Sequence, residues 1–312
     1  MIASPRVRAL AFTSLLSFGV SVGDATGQTK PCGAEIQRIE VNDTTLHYLE
    51  CGSGEPIVFV HGGLGDLHTF EPQIQAFAAN FRVIAYSRRF SPPNAPPGST
   101  ELNPMSIHLA DLRALMKELK ASPAHLVGSS YGAYIALALA LEQPGLVRSL
   151  VLGEPPILNL LARTSVGDAL RRSFIGRVIE PSRKAFAAGS LEDGMRQFQD
   201  GICGTKCFDT LPLSRRTELV EKLAPELRAE WMTEPSAYMP PLACQNIGRL
   251  KCPTLLVTGE RSPAIFFLVT AELERCLEGE SQVMVPEAGH GIHADNAAFY
   301  NEAVLAFLQR AR

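Results

Sequence analysis

The chain has 312 residues, which is enough to bury the core of one large domain and to carry an inserted subdomain. Its apolar fraction of 46% and charged fraction of 20% are ordinary for a globular protein. A net charge of −3 gives no electrostatic basis for binding nucleic acid, so we expect no such partner.

The first thirty residues predict a signal peptide. Arg6 and Arg8 precede an apolar run from Ala9 to Val22, and Ala25-Thr26-Gly27 fits a small-x-small cleavage site. The run is shorter than the roughly 20 apolar residues of a membrane span. We therefore expect residues 1–27 to be removed, leaving a secreted or periplasmic protein with no stable membrane span. An uncleaved anchor is the alternative.

All seven cysteines follow the predicted cleavage site, and an oxidising compartment would allow disulfides. Cys203 and Cys207 are close enough in sequence to bridge, and Cys32 with Cys51 is a second candidate pair. No histidine lies near Cys203 and Cys207, so we expect no metal site there.

Strand-like and helix-like patterns alternate through the first half of the chain. Two short runs, 36–41 and 45–49, flank Asn42-Asp43 and predict a hairpin. Asn103 is predicted to cap a helix that has Pro104 at its first position. The other strand-like runs are 57–60, 82–86, 125–127 and 150–152, and the helix-like runs are 70–81, 104–119 and 131–142. Such alternation predicts a parallel sheet with helices on both faces.

The same alternation returns near the end of the chain, with strands at 254–257 and 282–285 and helices at 264–277 and 294–311. Between these halves the pattern is helical, charged and interrupted by proline and glycine. We therefore predict an α/β core assembled from two pieces of the chain, and a lid that covers the carboxyl edge of the sheet. The predicted core comprises residues 32–155 and 247–312, and the lid comprises residues 156–246.

A G-x-S-x-G pentapeptide, Gly128-Ser129-Ser130-Tyr131-Gly132, stands directly between a predicted strand and a predicted helix. In that context the pattern indicates a sharp turn that exposes the central hydroxyl group. The central residue must then adopt strained backbone angles, and the flanking glycines avoid clashes with the strand and the helix. Ser130 is thus the predicted nucleophile.

Three further motifs accompany this pentapeptide: His61-Gly62-Gly63 after the third strand, Glu154 after the sixth, and Gly289-His290 after the last. In this combination the chain resembles the α/β-hydrolase superfamily over nearly all of its mature length. The resemblance implies the α/β-hydrolase fold, with an eight-stranded, mostly parallel sheet and a helical cap insertion. It also implies a Ser–acid–His triad in that chain order.

His290 is the predicted general base, because a serine hydroxyl becomes an effective nucleophile only when a base takes its proton. Its loop follows the last predicted strand and can return to the carboxyl edge of the sheet. His61 is interpreted as a structural support of the preceding loop, and His293 is the closest rival. The remaining histidines are predicted at the surface or within helices: His47, His68, His108 and His125.

The acid of the triad has two candidates. The resemblance implies an aspartate after the seventh strand, but the corresponding position here is Ser262. A serine cannot stabilise an imidazolium as a carboxylate does. We prefer Glu154, which follows the apolar run Leu150–Gly153, because a carboxylate in such surroundings needs a partner. Glu260 is the alternative acid.

The oxyanion hole is predicted to use two backbone N–H groups, those of Gly63 and Tyr131. Arg88 and Arg89 follow the fourth strand and are interpreted as a solvated pair.

Together these residues predict a serine hydrolase that cleaves a small-molecule ester or lactone, with no metal and no organic cofactor. Two alternatives are other chemistry on the same triad, as in a peptidase or carbon–carbon bond hydrolase, and a non-catalytic ligand-binding homologue. The sequence does not specify an oligomeric state.

Overall fold

The computed structural model describes residues 35–204, 206–277 and 281–311. The predicted signal peptide, residues 1–27, and Cys32 of the candidate pair with Cys51 lie outside the described residues. Within these ranges, every helix is too short or too polar to span a bilayer.

Eight strands form one sheet in the order β1-β2-β4-β3-β5-β6-β7-β8. The strands are β1 Gln37–Val41, β2 Thr44–Cys51, β3 Pro56–Val60, β4 Arg82–Tyr86, β5 Ala124–Ser129, β6 Val147–Gly153, β7 Thr254–Gly259 and β8 Ser281–Val285. β2 pairs antiparallel with β1 and with β4, and every other neighbouring pair is parallel. The predicted eight-stranded, mostly parallel sheet is confirmed.

The central strands consist of buried side chains. Every residue of β5 and β7 is buried, and in β3 only Pro56 is partly exposed. Burial is continuous because helices cover both faces of a parallel sheet. The edge strand β8, in contrast, exposes Ser281, Gln282 and Met284.

Three helices precede the long segment between β6 and β7: α1 Glu71–Phe77, α2 Met105–Glu118 and α3 Tyr131–Glu142. The predicted cap of α2 was wrong, because the side chain of Asn103 does not cap the helix, which begins at Met105 after Pro104. The buried backbone N–H of Asn103 instead donates to Thr233 Oγ1 at 3.0 Å. This hydrogen bond joins the start of α2 to the segment between β6 and β7.

The described residues of 156–246, hereafter the insertion, contain no strand. Its helices are α4 Ser165–Phe174, α5 Glu180–Ala187, α6 Leu191–Cys203, α7 Cys207–Thr210, α8 Leu213–Glu218, α9 Ala224–Met232 and α10 Pro235–Tyr238, followed by α11 Cys244–Ile247. A 3₁₀ segment, Leu158–Arg163, precedes them, and π-helical turns at Ile175–Ile179 and Leu219–Leu223 join α4 to α5 and α8 to α9. The insertion has its own small apolar core, formed by Phe186, Met195, Phe208, Leu227 and Trp231, among others.

Three helices complete the chain: α12 Ala264–Cys276, α13 Ile292–Asp295 and α14 Ala297–Arg310. The prediction of a single closing helix over 294–311 was wrong at the N-terminal end of that helix. The chain breaks at Asn296, whose side chain accepts a hydrogen bond from the N–H of Phe299 and so caps α14.

Two disulfides occur in the described residues. Cys203–Cys207 links α6 to α7, as the sequence spacing allowed. Cys244–Cys276 links α11 to α12 and was not anticipated. The second bridge fastens the end of the insertion to a helix of the core.

The parallel strands all end at the same edge of the sheet, where ligand sites of open α/β sheets lie. Four loops that carry predicted functional residues leave this edge, after β3, β5, β6 and β8. The topology therefore gathers residues that are more than 200 positions apart in the chain, such as His61 and His290.

Candidate active site

Ser130 occupies the single-residue turn between β5 and α3. Its backbone angles are φ 51° and ψ −122°, outside the regions that L-residues prefer, and such strain costs about 1–3 kcal/mol. The N–H of Ser130 donates to the carbonyl of Gly153 at 2.7 Å. The turn is thereby tied to the end of β6, one residue before Glu154.

The two glycines of the pentapeptide are required by close backbone contacts. A Cβ atom on Gly132 would lie 2.0 Å from the carbonyl oxygen of Val60, and one on Gly128 would lie 2.5 Å from Cα of Ala133. Neither neighbour is a movable side chain, so any larger residue would displace the strand or the helix. These contacts allow the sharp turn that holds Ser130.

His290 is hydrogen-bonded to Glu154, with 2.6 Å between His290 Nδ1 and Glu154 Oε2. The side chain of Glu154 is fully buried, and its other oxygen accepts the N–H of Gly259 at 2.9 Å. Both carboxylate oxygens are therefore satisfied, as a buried carboxylate requires. The acid reaches His290 from the end of β6, across the end of β7.

The ring of His290 is fixed from a second direction by Phe266 of α12, with 4.0 Å between ring centroids and 14° between ring planes. Because Nδ1 is directed at a carboxylate, the neutral ring carries its proton on Nδ1 and leaves Nε2 as an acceptor. Ser130 and His290 line the same cavity. Within the described residues no direct hydrogen bond joins the Ser130 hydroxyl to His290, and such bonds often tighten only in a substrate complex.

Glu260, the alternative acid, makes hydrogen bonds with the last residue of β8 and with the loop that follows it. Its Oε2 accepts the N–H of Glu287 at 2.8 Å, and its own N–H donates to Val285 at 3.0 Å. Ser262 is buried, and its hydroxyl has no hydrogen-bond partner among the described residues. The structure thus brings Glu154 to His290 and uses Glu260 to fasten the backbone nearby.

His293, the rival histidine, is packed against the rings of Phe70 and Tyr300. Burial, together with the nearby His290, lowers the pKa of His293 to about 4. The side-chain amide of Gln73 donates to its carbonyl oxygen at 2.8 Å. His293 is therefore a neutral, packed residue at physiological pH.

Gly63 and Tyr131 line the same cavity as Ser130 and His290. Tyr131 is the first residue of α3, so its N–H has no acceptor within the helix. The phenol of Tyr131 donates to the carbonyl of Tyr238 in the insertion at 2.8 Å. Four of the sequence-predicted residues therefore line one cavity, namely Ser130, His290, Gly63 and Tyr131, and Tyr131 also contacts the insertion.

The cavity has a volume of about 440 Å³ and lies between the core and the insertion. Its wall is mostly apolar and aromatic and includes Leu158, Phe174, Ile179, Phe198, Leu227 and Trp231. A site of this size and character suits a small, largely apolar molecule, oriented by a few polar groups.

A buried charge cluster beside the cavity escaped the sequence interpretation. The guanidinium of Arg88 is fully buried and pairs with two carboxylates of α9, those of Glu226 at 3.1 Å and Glu230 at 2.6 Å. Arg89 is also buried and binds Asp111 through two hydrogen bonds. The interpretation of Arg88 and Arg89 as a solvated pair was therefore wrong.

The cluster holds two carboxyl groups against one guanidinium, so a single proton balances its charge. Burial raises the pKa of Glu226 to about 8. Although burial opposes it, Arg88 and His108 together lower the pKa of Glu230. Burial lowers the pKa of His108, which is therefore neutral. At neutral pH the cluster consists of Arg88 as a cation, Glu230 as an anion and Glu226 in its protonated form.

Comparisons with known proteins agree with the observed fold. A model of the alpha/beta hydrolase family matches residues 57–303. The serine hydrolase BPHL of Mus musculus is 25% identical over 289 residues, covering 87% of this chain and 86% of that protein. The uncharacterized hydrolase YraK of Bacillus subtilis is 32% identical over 123 residues, which are 39% of this chain and 45% of YraK. The matched region thus spans less than half of YraK.

Among solved structures, a thermophilic esterase from Thermogutta terrifontis with malate bound superposes with a TM-score of 0.64. The match covers 89% of this chain and 99% of the esterase, at 20% sequence identity. Identity at this level shows a common fold.

The raised pKa of Glu226 predicts how stability depends on pH. Between its ordinary value of 4.5 and about 8, the folded chain retains a proton that the unfolded chain has lost. The free energy of unfolding therefore falls as pH rises through this window. Glu226→Gln removes this term, so the variant should gain stability relative to the wild type as pH rises from 5 to 8.

Urea unfolding at several pH values measures this difference, with the exposed Glu221→Gln as the matched control on the same segment. Parallel profiles for wild type and Glu226→Gln would contradict a proton held at Glu226.

Proposed function

The chain belongs to the alpha/beta hydrolase family, and we propose that it is a serine hydrolase that cleaves a small ester or lactone through an acyl-enzyme on Ser130. One observation carries this proposal. A hydroxyl on a strained turn and an imidazole paired with a buried carboxylate line the same cavity.

In the proposed first step, Ser130 Oγ attacks the carbonyl carbon of the substrate while His290 Nε2 takes the hydroxyl proton. The resulting imidazolium keeps its Nδ1–H on Glu154, whose negative charge stabilises it. The second hydrogen bond of Glu154, from Gly259, supports this role because it holds the carboxylate in place. Stacking on Phe266 keeps the ring in the same plane throughout.

The attack converts the carbonyl oxygen into an oxyanion, for which we propose the N–H groups of Gly63 and Tyr131 as donors. The Tyr131 amide lies at the N-terminus of α3, where the helix dipole favours negative charge. Fixed backbone donors in a water-poor site act on the transition state without reorganising, and one of them typically contributes about 10²–10³ in rate.

In the proposed second step, the tetrahedral intermediate collapses and its carbon–oxygen bond to the leaving group breaks. His290 gives its proton to the departing alkoxide, so the alcohol leaves and acyl-Ser130 remains. A water molecule then attacks the acyl group while His290 accepts its proton, and collapse of the second oxyanion restores the hydroxyl of Ser130. A lactone would follow the same steps, with its alcohol remaining attached to the acyl group. These residues complete the cycle without a cofactor.

The cavity supports a small substrate with a mainly apolar body. Peptidase or carbon–carbon bond hydrolase activity would use the same residues, and a ligand-binding protein would use only the cavity. Activity confined to non-ester substrates would favour the first alternative. A folded protein that fluorophosphonates leave unlabelled would favour the second.

We expect Ser130→Ala to abolish hydrolysis of p-nitrophenyl acetate and butyrate, because the variant lacks the hydroxyl proposed to form the acyl-enzyme. A fluorophosphonate should label wild-type protein at one site per chain, located at Ser130 by peptide mass spectrometry. Ser129→Ala is the matched control, since Ser129 is the neighbouring hydroxyl on β5. Equal activity of wild type and Ser130→Ala would contradict the proposal.

The acid is tested by comparing Glu154→Gln with Glu260→Gln. An amide at position 154 cannot stabilise the imidazolium, so we expect kcat to fall by about 10³- to 10⁴-fold. Glu260→Gln should retain kcat within a few-fold, because the side chain of Glu260 accepts a backbone hydrogen bond from Glu287, whereas the carboxylate bonded to His290 is that of Glu154. A collapse of kcat in the Glu260 variant alone would assign the acid to Glu260.

We also propose that the protein is exported and loses residues 1–27. Support comes from the basic and apolar pattern of the N-terminus and from the two disulfides, which form and persist in oxidising compartments. Intact-mass analysis of material secreted or released from the periplasm should give a chain that begins near Gln28. Mature material that still carries Met1 would contradict the proposal.

A further inference from the structure

The peptide group between Gly62 and Gly63 has two polar groups, an N–H and a carbonyl. Its N–H, that of Gly63, is the proposed oxyanion donor, and its carbonyl, that of Gly62, points the opposite way because the unit is planar and trans. Two buried side chains donate to this carbonyl: His61 Nδ1 at 2.8 Å and Arg88 Nη2 at 3.1 Å.

These two hydrogen bonds fix the direction of the Gly63 N–H. A planar peptide cannot rotate one of its groups without the other, so anchoring the carbonyl also aims the amide. Donation to the carbonyl also polarises the unit and strengthens the amide as a donor, because hydrogen bonds in a chain reinforce one another. The bond from Arg88 is charge-assisted, which makes it the stronger type.

Arg88 also determines which ring nitrogen of His61 carries the proton. The backbone N–H of Arg88 donates to His61 Nε2 at 2.9 Å, so the ring proton lies on Nδ1, the nitrogen that faces Gly62. Burial lowers the pKa of His61 well below its usual range and keeps the ring neutral. The guanidinium of Arg88 further lies 5.2 Å from the ring centroid of Tyr131, the residue that supplies the other proposed donor.

The insertion holds Arg88 in this position. Glu230 binds Nη1 at 2.6 Å, while Glu226 faces Nη2 at 3.1 Å and accepts a hydrogen bond from Ser91 at 2.6 Å. Both acids are on α9, and the same helix brings Leu227 toward Gly63. The core supplies the guanidinium and the oxyanion loop. The insertion supplies the two acidic side chains that orient the guanidinium, the carboxylate of Glu230 and the protonated carboxyl group of Glu226.

We propose that Arg88 is a positioning residue of the oxyanion hole, and that the hole is correctly formed only when α9 is docked with Glu226 and Glu230 on Arg88. This role rests on the proposed hydrolase function. The docked insertion thereby covers the cavity and also aligns the Gly63 amide. Arg88 touches no reacting atom and acts through the Gly62–Gly63 peptide.

Arg88→Lys tests the role. A lysine keeps the charge, but its single nitrogen lacks the planar fork that reaches Gly62 and both carboxylates together. We expect kcat for p-nitrophenyl butyrate to fall by about 10- to 100-fold, a part of the roughly 10²–10³ lost with a whole oxyanion donor. KM should change by less than about threefold, because the oxyanion forms only in the transition state.

Arg89→Lys is the matched control. Arg89 is the adjacent buried arginine, and its bidentate pair with Asp111 would be broken by the same substitution. It makes no contact with Gly62 among its hydrogen bonds in the described chain. We expect Arg89→Lys to lose stability in urea while retaining kcat, which separates a general packing effect from an effect on the hole.

If Arg88→Lys fails to fold, the isosteric variant Glu230→Gln is tested in its place. In that variant the negative charge passes to Glu226, which faces Nη2 and draws that nitrogen away from Gly62. We expect kcat to fall at unchanged KM, and binding of a boronic acid that mimics the tetrahedral intermediate to weaken in proportion to kcat.

The outcomes separate the two proposals. Wild-type protein that neither hydrolyses the ester nor reacts with a fluorophosphonate contradicts the hydrolase function and, with it, this role. If the wild type is active and labelled but Arg88→Lys has the same kcat as Arg89→Lys, only the role of Arg88 is contradicted. Where Arg88→Lys does not fold, the same comparison is made with Glu230→Gln. A selective loss of kcat, mirrored in boronic acid affinity, supports that role.

Discussion

The hydrogen bond between His290 and Glu154 is the interaction on which the rest of the site depends. It joins a loop after the last strand to a fully buried carboxylate at the end of β6. The same stretch of chain fastens the turn at Ser130, because the carbonyl of Gly153 accepts the N–H of Ser130. Two consecutive residues thus have separate roles. The side chain of Glu154 orients the imidazole of His290, and the backbone carbonyl of Gly153 holds the turn at Ser130. With the carboxylate coming from β6, Ser262 at the end of β7 needs no charge.

A second set of contacts makes the site a joint product of the core and the insertion. The charge of Arg88 in the core is neutralised by Glu230 of α9, and Tyr131 donates from α3 to the carbonyl of Tyr238 in the insertion. A buried guanidinium without its carboxylates would be strongly destabilising, so the insertion cannot leave without a large cost. The carboxyl edge of the sheet and the insertion that walls the cavity are therefore held together by buried polar contacts.

Much of this arrangement is readable from local sequence patterns. Continuous apolar runs predict the central strands, and the pentapeptide around Ser130 predicts the turn because only glycine fits where Gly132 faces the carbonyl of Val60. The choice between Glu154 and Glu260 rested on the apolar run before Glu154, which indicated a carboxylate that needs a partner, and the structure pairs it with His290. The start of α14 also has a local sequence signal, because Asn296 is a residue type that commonly caps helices.

Contacts between distant segments could not be read in this way. Arg88 and Glu230 are 142 positions apart, and their pairing follows from how the insertion folds back over the core. One signal was present, since Glu226 and Glu230 are four residues apart and so share a helix face with apolar neighbours. Cys244 and Cys276 likewise meet only because α11 packs against α12.

The most direct measurement is a crystal structure of the chain after reaction with a phosphonate ester, whose tetrahedral adduct mimics the intermediate. We expect phosphorus bonded to Ser130 Oγ, with its oxygen about 2.7–3.1 Å from the N–H groups of Gly63 and Tyr131. His290 should remain on Glu154, with Nε2 facing the adduct. An adduct on another residue, or an oxygen turned away from both amides, would contradict the proposed chemistry.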